Sequence, residues 1–126
     1  DYSSLIRKKE GYPYLDIIVS GKYPPNPSEL LASDRMAELL EECKKYYDYI
    51  IIDGTPLCIV SDALVLSPHI DGYILVAMAE TSSKRMIKNA VSMIRKINGK
   101  VLGFVLTKKR VSGREKYLYG GYSINY

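Results

Sequence analysis

An aspartate at position 53 has the sequence setting that best fits phosphate chemistry. It follows Tyr49-Ile50-Ile51-Ile52, an apolar run typical of a central parallel strand. A carboxylate at the carboxyl end of such a strand is a common ligand for Mg²⁺ on a nucleotide phosphate. The turn Gly54-Thr55-Pro56 leaves space for a phosphate beside it. Because many strand-ending aspartates only cap a following helix, both roles stay open at this point.

A glycine-rich phosphate loop, which would complement this aspartate, is missing from the sequence. Neither GxxxxGK[ST] nor GxGxxG occurs in the 126 residues. Backbone N–H groups in such loops bind nucleotide phosphates, so we expect that the chain alone is not a self-sufficient nucleotidase. The first residue is aspartate rather than methionine, and we expect a fragment of a longer protein.

Tyrosine and positive charge coincide in the last twenty residues. Residues 1–106 contain 13 basic and 13 acidic side chains, whereas residues 107–126 contain five basic side chains and one glutamate. The net charge of +4 therefore lies in this segment. Four of the twelve tyrosines also lie there: Tyr117, Tyr119, Tyr122 and Tyr126. Since no helical or strand period continues beyond Leu106, we predict a folded part, residues 1–106, and a flexible tail, residues 107–126.

Several roles for this tail remain open from composition alone. A solvated terminus is the simplest, although disordered tails are normally poor in aromatic residues. The basic side chains could also pack on the tyrosine rings by cation–π contacts. Basic residues interleaved with aromatic rings can bind single-stranded nucleic acid. The folded part has no net charge to support a nucleic-acid interface, and we predict no nucleic-acid partner.

Two further classes of protein are disfavoured by the sequence. The longest uninterrupted apolar stretch, Tyr73 to Ala79, has seven residues, against about 20 needed to cross a bilayer. Cys43 and Cys58 form no CxxC motif, which argues against a zinc site and a disulfide framework and favours two core thiols in a reducing compartment.

Strands and helices are predicted to alternate along the chain. The predicted strands are Leu15–Val19, Tyr49–Asp53, Tyr73–Met78 and Val101–Leu106. The predicted helices run from an Asn26 cap to about Lys45, from Ser61-Asp62 to Leu66, and from a cap at Thr81 or Ser82 to Asn98-Gly99. This order predicts an α/β fold with a three-layer, mostly parallel sheet and helices on both faces.

Several segments resemble the bacterial protein-tyrosine kinases, the cytoplasmic kinases of capsule and exopolysaccharide loci. Residues 20–36, SGKYPPNPSELLASDRM, are similar to the family segment GxxPPNPxELLxSxxM. Residues 47–56, YDYIIIDGTP, resemble the Walker B segment of these kinases, and residues 60–63, VSDA, match the short family segment on its C-terminal side. Residues 100–106, KVLGFVL, resemble the last strand of their core, and the terminal tyrosines resemble their tyrosine cluster. The resemblance covers essentially the whole chain.

The resemblance implies roles for individual residues. Asp53 would be the catalytic carboxylate that binds Mg²⁺, with Gly54 beside the phosphates, and Thr107 stands where the family has an asparagine that helps bind the adenine of ATP. The fold would be P-loop NTPase-like and incomplete at the N-terminus, because the Walker A and A′ segments of the family precede the PPNP segment. The tyrosines that the resemblance implies as autophosphorylation sites are Tyr117, Tyr119, Tyr122 and Tyr126.

The implied function is an ATP-dependent protein-tyrosine kinase that regulates capsular and exopolysaccharide synthesis and export. Its expected partners are other copies in a homo-oligomer, a membrane-embedded modulator protein and protein-tyrosine substrates, at the inner face of the cell membrane. The first proline of the family's Asp-x-Pro-Pro is Thr55 here, while Pro56 remains in register. The alternative is a non-catalytic binding module, or a relative of the septum-site and partitioning ATPases, which share the strand-ending aspartate but are not expected to carry the tyrosine tail.

Overall fold

Two compact units, divided between Ile70 and Asp71, make up the computed structural model. It describes residues 2–22, 24–60 and 62–108. The predicted tail lies outside these residues except at its first two positions.

The first unit combines a small antiparallel sheet with short helices. Its elements are a 3₁₀ helix at Ser3–Leu5, β1 at Ile6–Lys8, β2 at Asp16–Ile18, α1 at Pro27–Leu31, α2 at Asp34–Cys43 and a second 3₁₀ helix at Asp62–His69. The predicted strand at Leu15–Val19 corresponds to β2. It pairs antiparallel with β1, with Arg7 opposite Ile17, so the expectation that it joins a parallel sheet is wrong. Only residues 9–15 connect β1 to β2. A connection this short joins antiparallel strands, whereas parallel strands need a longer crossover.

The single helix predicted from Asn26 to about Lys45 is wrong, because the chain forms two helices. Ser33 has extended backbone angles and caps α2, with its hydroxyl accepting a hydrogen bond from the Met36 N–H at 3.3 Å. Serine is among the best N-cap residues, and here it interrupts the helical pattern. Asn26 precedes α1 but makes no side-chain cap, since its amide donates to the Glu29 carboxylate instead. Leu40 and Cys43 form the buried side of α2.

The predicted strand at Tyr49–Asp53 is absent from the described structure. These residues belong to no helix or strand, and Ile51 is 93% exposed. A strand requires a neighbouring backbone to complete its hydrogen bonds, and no described strand pairs with this segment. The apolar pattern of a buried strand is therefore present without the neighbours that would bury it.

The second unit is a β–α–β arrangement. Strand β3, Tyr73–Met78, pairs in parallel with β4, Val101–Thr107, and α3, Lys84–Lys96, connects them. Both strand predictions are confirmed, with β4 one residue longer than expected. The Ser83 hydroxyl caps α3 by accepting from the Met86 N–H, so the predicted cap at Thr81 or Ser82 is wrong. Ser82 instead accepts from the Met78 N–H at 3.0 Å.

The core of the second unit lies between α3 and the parallel strands. Ala77, Ala90 and Ile94 are buried, and Ile94 is fully enclosed. The helix ends as predicted at Asn98-Gly99, where Asn98 has a φ of 57° and the Gly99 N–H donates to the Ile94 carbonyl at 2.9 Å. A Cβ on Gly99 would lie 2.8 Å from Ile94 Cγ2, so this position requires glycine.

The predicted α/β class with a parallel sheet is confirmed. Within residues 2–22, 24–60 and 62–108, however, the parallel part has two strands rather than an extended three-layer sheet. The prediction of two core thiols is half right, because Cys43 is buried and Cys58 is exposed. None of the described helices is both long and apolar enough to pass through a membrane.

Candidate active site

The segment that leads to Asp53 is held at its start by Tyr47. The chain leaves α2 through a tight turn in which the Tyr46 and Tyr47 N–H groups both donate to the Cys43 carbonyl, at 3.0 and 3.1 Å. The Tyr47 hydroxyl donates to Asp16 Oδ2 at 2.7 Å. This hydrogen bond links the segment to strand β2, and it joins residues that are 31 positions apart in the sequence.

Asp16 is a negatively charged partner in this contact. Its Oδ1 faces the Lys8 ammonium in an ion pair rather than in an aligned hydrogen bond. The Lys8 ammonium and the Tyr47 hydroxyl together hold the pKa of Asp16 below its ordinary value. Because the Tyr47 proton is shared with this carboxylate, the pKa of Tyr47 rises to about 12. The contact therefore joins an ionised aspartate to a neutral tyrosine near pH 7.

Asp53 itself is exposed at the end of the apolar segment. The described structure shows no hydrogen bond or ion pair from its carboxylate, in contrast to Asp16. A carboxylate in this state retains its hydration shell and its full capacity to bind a cation or a hydrogen-bond donor. The carboxylate is exposed, but the buried strand that was predicted to end at it is absent, and its metal-binding role stays a prediction.

Gly54 follows Asp53 directly in the same irregular segment. A Cβ at Gly54 would lie 3.3 Å from the Ala63 Cβ, so a side chain here would press against the 3₁₀ helix Asp62–His69. The Ile59 and Val60 N–H groups then donate to the Pro56 carbonyl, at 2.9 and 3.2 Å. The segment after Asp53 is thus a compact turn packed on that 3₁₀ helix.

The proline-rich segment and the residues after Asp53 come together in space. The Ser28 hydroxyl of α1 donates to Asp62 Oδ1 at the start of the 3₁₀ helix. Ser28 belongs to the PPNPSELL segment and Asp62 to VSDA, so two of the segments that carry the resemblance are in direct contact. The sequence pattern does not reveal this contact, because the two residues are 34 positions apart.

Thr107 is the last residue of β4 and belongs to the second unit. Its hydroxyl donates weakly to the Ala77 carbonyl at 3.4 Å, and its carbonyl accepts from the Ala79 N–H at 2.9 Å. These contacts give Thr107 a structural role at the end of the parallel strand pair. Asp53 lies in the first unit. The predicted acceptors Tyr117, Tyr119, Tyr122 and Tyr126 lie outside the described residues.

The metal-binding capacity around Asp53 comes from a single exposed carboxylate. In the part of the chain that the structure describes, no three histidine, cysteine, aspartate or glutamate side chains gather to hold a metal ion. Mg²⁺ usually binds through one or two carboxylates, several waters and the phosphates of a substrate. Asp53 offers one carboxylate of this kind, next to Gly54.

An α/β fold with a parallel β–α–β unit, and an exposed aspartate at the end of an apolar segment, is the class that these features define. No protein-family model matches the chain. CapB from Staphylococcus aureus is 39% identical over 105 residues, which cover 83% of this chain and 46% of that protein. The tyrosine-protein kinase YwqD from Bacillus subtilis is 35% identical over 113 residues, or 90% of this chain and 48% of the kinase.

The solved structures give the same result. The VpsO kinase domain superimposes with a TM-score of 0.79 at 28% identity, covering 87% of this chain and 54% of that one. The chain belongs to the bacterial tyrosine-protein kinases, and its fold is the P-loop NTPase-like α/β fold of their kinase domains. It spans about half the length of the curated relatives it matches.

Proposed function

We propose that these 126 residues are part of an ATP-dependent protein-tyrosine kinase that regulates capsular and exopolysaccharide synthesis. The observation that carries the proposal is the similarity to tyrosine-protein kinases over 90% of the chain, in YwqD, together with an exposed Asp53 carboxylate at the predicted place. The reaction transfers the γ-phosphoryl group of ATP to a tyrosine hydroxyl, with ADP as the leaving group.

Asp53 would hold the Mg²⁺ that accompanies the nucleotide. The metal ion, when bound, neutralises charge that develops on the transferred phosphoryl group. The chain's own contribution is to present one unpaired carboxylate at the end of the apolar segment. Tyr47 and Asp16 fix where that segment begins, and Gly54 keeps the following turn free of a side chain that would crowd the phosphates. Thr107 is the weaker candidate, as a contact to adenine.

ATP binding requires a phosphate loop from polypeptide outside these residues, since none occurs within them. We therefore expect the isolated chain to show no tight binding of Mg-ATP in calorimetric titration. A micromolar dissociation constant corresponds to roughly 8 kcal/mol of binding free energy, which one carboxylate on an exposed segment does not supply. Such a constant would contradict the assignment of the missing loop.

The proposed acceptors are the tyrosines of the tail, on the chain itself or on a neighbouring copy. Among the tyrosines of the described units, Tyr47 is held by a hydrogen bond, whereas Tyr14 and Tyr49 are exposed, so the tail tyrosines are proposed from the family resemblance and not from exposure alone. Replacement of Tyr117, Tyr119, Tyr122 and Tyr126 by phenylalanine should abolish autophosphorylation of the intact kinase without lowering its thermal stability. Phosphopeptide mass spectrometry locates the modified residues.

Partners and location follow the same proposal. The intact kinase would assemble with other copies of itself, respond to a membrane-embedded modulator and act on protein tyrosines at the cytoplasmic face of the membrane. Support for partners and location comes from the similarity to the bacterial tyrosine-protein kinases.

The decisive test compares two aspartates of the same segment in the intact kinase. Asp53→Asn is nearly isosteric but removes the charge that binds Mg²⁺, and it should lower transfer of radiolabelled phosphate from ATP by about 100-fold or more. Asp48→Asn removes an equally exposed carboxylate five residues earlier and should leave transfer unchanged. Equal activity of the two variants would show that Asp53 has no catalytic role.

A further inference from the structure

Helix α3 is unusually basic for a helix that packs on a sheet. Its thirteen residues include five cations and no acidic side chain: Lys84, Arg85, Lys88, Arg95 and Lys96. No ion pair with a described carboxylate neutralises any of them. This contrasts with α2 in the first unit, where the glutamates near the end of the helix pair with Lys44 and Lys45.

Part of this charge surrounds a groove between α3 and β4. The groove has a volume of about 540 Å³, and the residues that line it are Ile87, Lys88, Val91, Ser92, Arg95, Lys96 and Phe104. This volume lies within the range of about 300–1,000 Å³ that is typical of ligand sites. The Phe104 ring is 58% exposed, so an aromatic surface lies next to three cations and a hydroxyl group.

We propose that this groove binds phosphotyrosine from the chain's own segment 109–126. The proposal rests on the proposed function to the extent that the tyrosines of this segment become phosphorylated. It adds a binding site, distinct from Asp53, that would hold the segment once it has been modified.

The chemistry of the groove matches both parts of a phosphotyrosine side chain. An arginine guanidinium binds phosphate through paired N–H donors, and Arg95 offers this group at the groove. Lys88 adds positive charge, and the Ser92 hydroxyl adds a further donor. The Phe104 ring and the apolar floor can pack against the phenyl ring. Inorganic phosphate would use only the first of these two sets of contacts.

Chain continuity and charge both favour segment 109–126 as the occupant of this groove. Segment 109–126 begins two residues after β4 ends, and Phe104 lies in β4. Tyr117 lies nine positions after Lys108, and an extended chain of that length reaches about 30 Å, enough to return along β4 and α3. Unmodified, the segment carries four basic residues and one glutamate and is repelled by α3. Each phosphate adds about −1.5 to −2 charges, so two or three phosphates reverse the sign and make docking favourable.

The first experiment measures binding of a synthetic peptide to the full 126-residue chain by fluorescence anisotropy. The peptide comprises residues 111–126 with phosphotyrosine at Tyr117, Tyr119 and Tyr122. It should bind at least ten-fold more tightly than the same peptide without phosphate, and inorganic phosphate should compete only at much higher concentration. Equal binding of the two peptides, or equally effective competition by inorganic phosphate, would overturn the proposal.

A matched pair of variants separates the groove from general positive charge. The Lys88→Gln/Arg95→Gln variant removes two cations that line the groove and should weaken phosphopeptide binding about ten-fold. The Arg85→Gln/Lys100→Gln variant removes the same two residue types outside the groove and should change binding less than three-fold. Phe104→Leu should weaken binding of the phosphopeptide but leave the affinity for inorganic phosphate unchanged. Equal losses in the two double variants would show non-specific attraction and contradict the proposal.

The third arm tests whether the segment binds within its own chain. A chain made by ligation with phosphotyrosine at the three positions should remain monomeric and bind the labelled phosphopeptide more weakly than the unmodified chain, because its own segment occupies the groove. Formation of a dimer would assign the segment to a neighbouring copy and overturn the intramolecular form. Since the phosphates are introduced chemically, failure here leaves the kinase proposal untouched, and loss of kinase activity leaves this test intact.

Discussion

Two apolar segments of similar composition have different structures in this chain. Tyr73–Met78 forms strand β3, whereas Tyr49–Asp53 forms no strand among the described residues. The difference lies in their neighbours: β3 has β4 beside it in parallel register, and the other segment has no described strand beside it. Apolar pattern is therefore necessary for a buried strand but not sufficient, because the hydrogen-bonding partner must also be present.

The two units also differ in how deeply their isoleucines are buried. The second unit contains its own β–α–β core around Ile94. The first unit presents the candidate catalytic residue on a segment whose isoleucines are exposed. This arrangement is what we expect if the Asp53 segment completes its sheet only with polypeptide from the remaining half of a kinase domain.

The largest effect is expected from truncating one isoleucine in each region. Ile94→Ala removes a fully buried side chain and should lower the free energy of unfolding by about 2–5 kcal/mol. Ile51→Ala removes a side chain that is 93% exposed and should change it by less than about 0.5 kcal/mol. Urea unfolding followed by circular dichroism measures both. A large loss in the Ile51 variant would mean that this segment is buried in solution.

An intermediate effect is expected at the two serine caps, one in each unit. Ser83 caps α3 and Ser33 caps α2, each through a hydrogen bond from a methionine N–H. Replacement of either serine by alanine should cost about 1 kcal/mol. Ser92→Ala, in the middle of α3, is the control and should cost less. If Ser33→Ala has no effect, the division between α1 and α2 does not depend on this cap.

The smallest effect is expected at the Tyr47–Asp16 contact, and it should depend on pH. Tyr47→Phe should lower the melting temperature at pH 7, because the hydroxyl then no longer donates to the ionised Asp16. The stabilisation is complete below the ordinary tyrosine pKa near 10 and is lost as the pH rises towards about 12. At the acid end it is lost as Asp16 becomes protonated, below its ordinary pKa of 3.8.

Thermal unfolding of wild type and variant at a series of pH values measures this difference. The matched control is Tyr46→Phe, which alters the adjacent tyrosine, an exposed one. The control should show no such pH-dependent difference from wild type. A Tyr47→Phe difference that persists unchanged at about pH 12 would contradict the role of the shared proton.

How much could be predicted from the sequence depends on the range of the interactions involved. β3, α3 and β4 were predictable because one local β–α–β unit forms them, and the stop at Asn98-Gly99 depends on neighbouring residues. The α3 cap was misplaced because Thr81, Ser82 and Ser83 are all capping residue types, and only the backbone selects among them. The break before α2 was missed for a similar reason, since Ser33 interrupts an otherwise continuous apolar stripe.

The sequence names candidate site residues, whose roles stay predictions, but it does not reveal the contacts around them. The sequence predicted Asp53 at the end of a strand and a turn at Gly54-Thr55-Pro56, whereas the structure has no strand there and forms its turn hydrogen bonds from Ile59 and Val60 to Pro56. The contacts of Tyr47 with Asp16 and of Ser28 with Asp62 join residues more than 30 positions apart, and no periodicity reveals such pairs. The basic face of α3 is visible in the sequence, but the place of Phe104 beside it depends on the pairing of β4 with β3.

Amide hydrogen exchange of residues 49–53 tests whether the Asp53 segment forms a strand only when its neighbouring strands are present. In the 126-residue chain these amides should exchange without protection, while the amides of β3 that donate to β4 are protected. In the intact kinase, residues 49–53 should become as protected as β3. Protection of this segment in the short chain, or its absence in the intact kinase, would contradict the account.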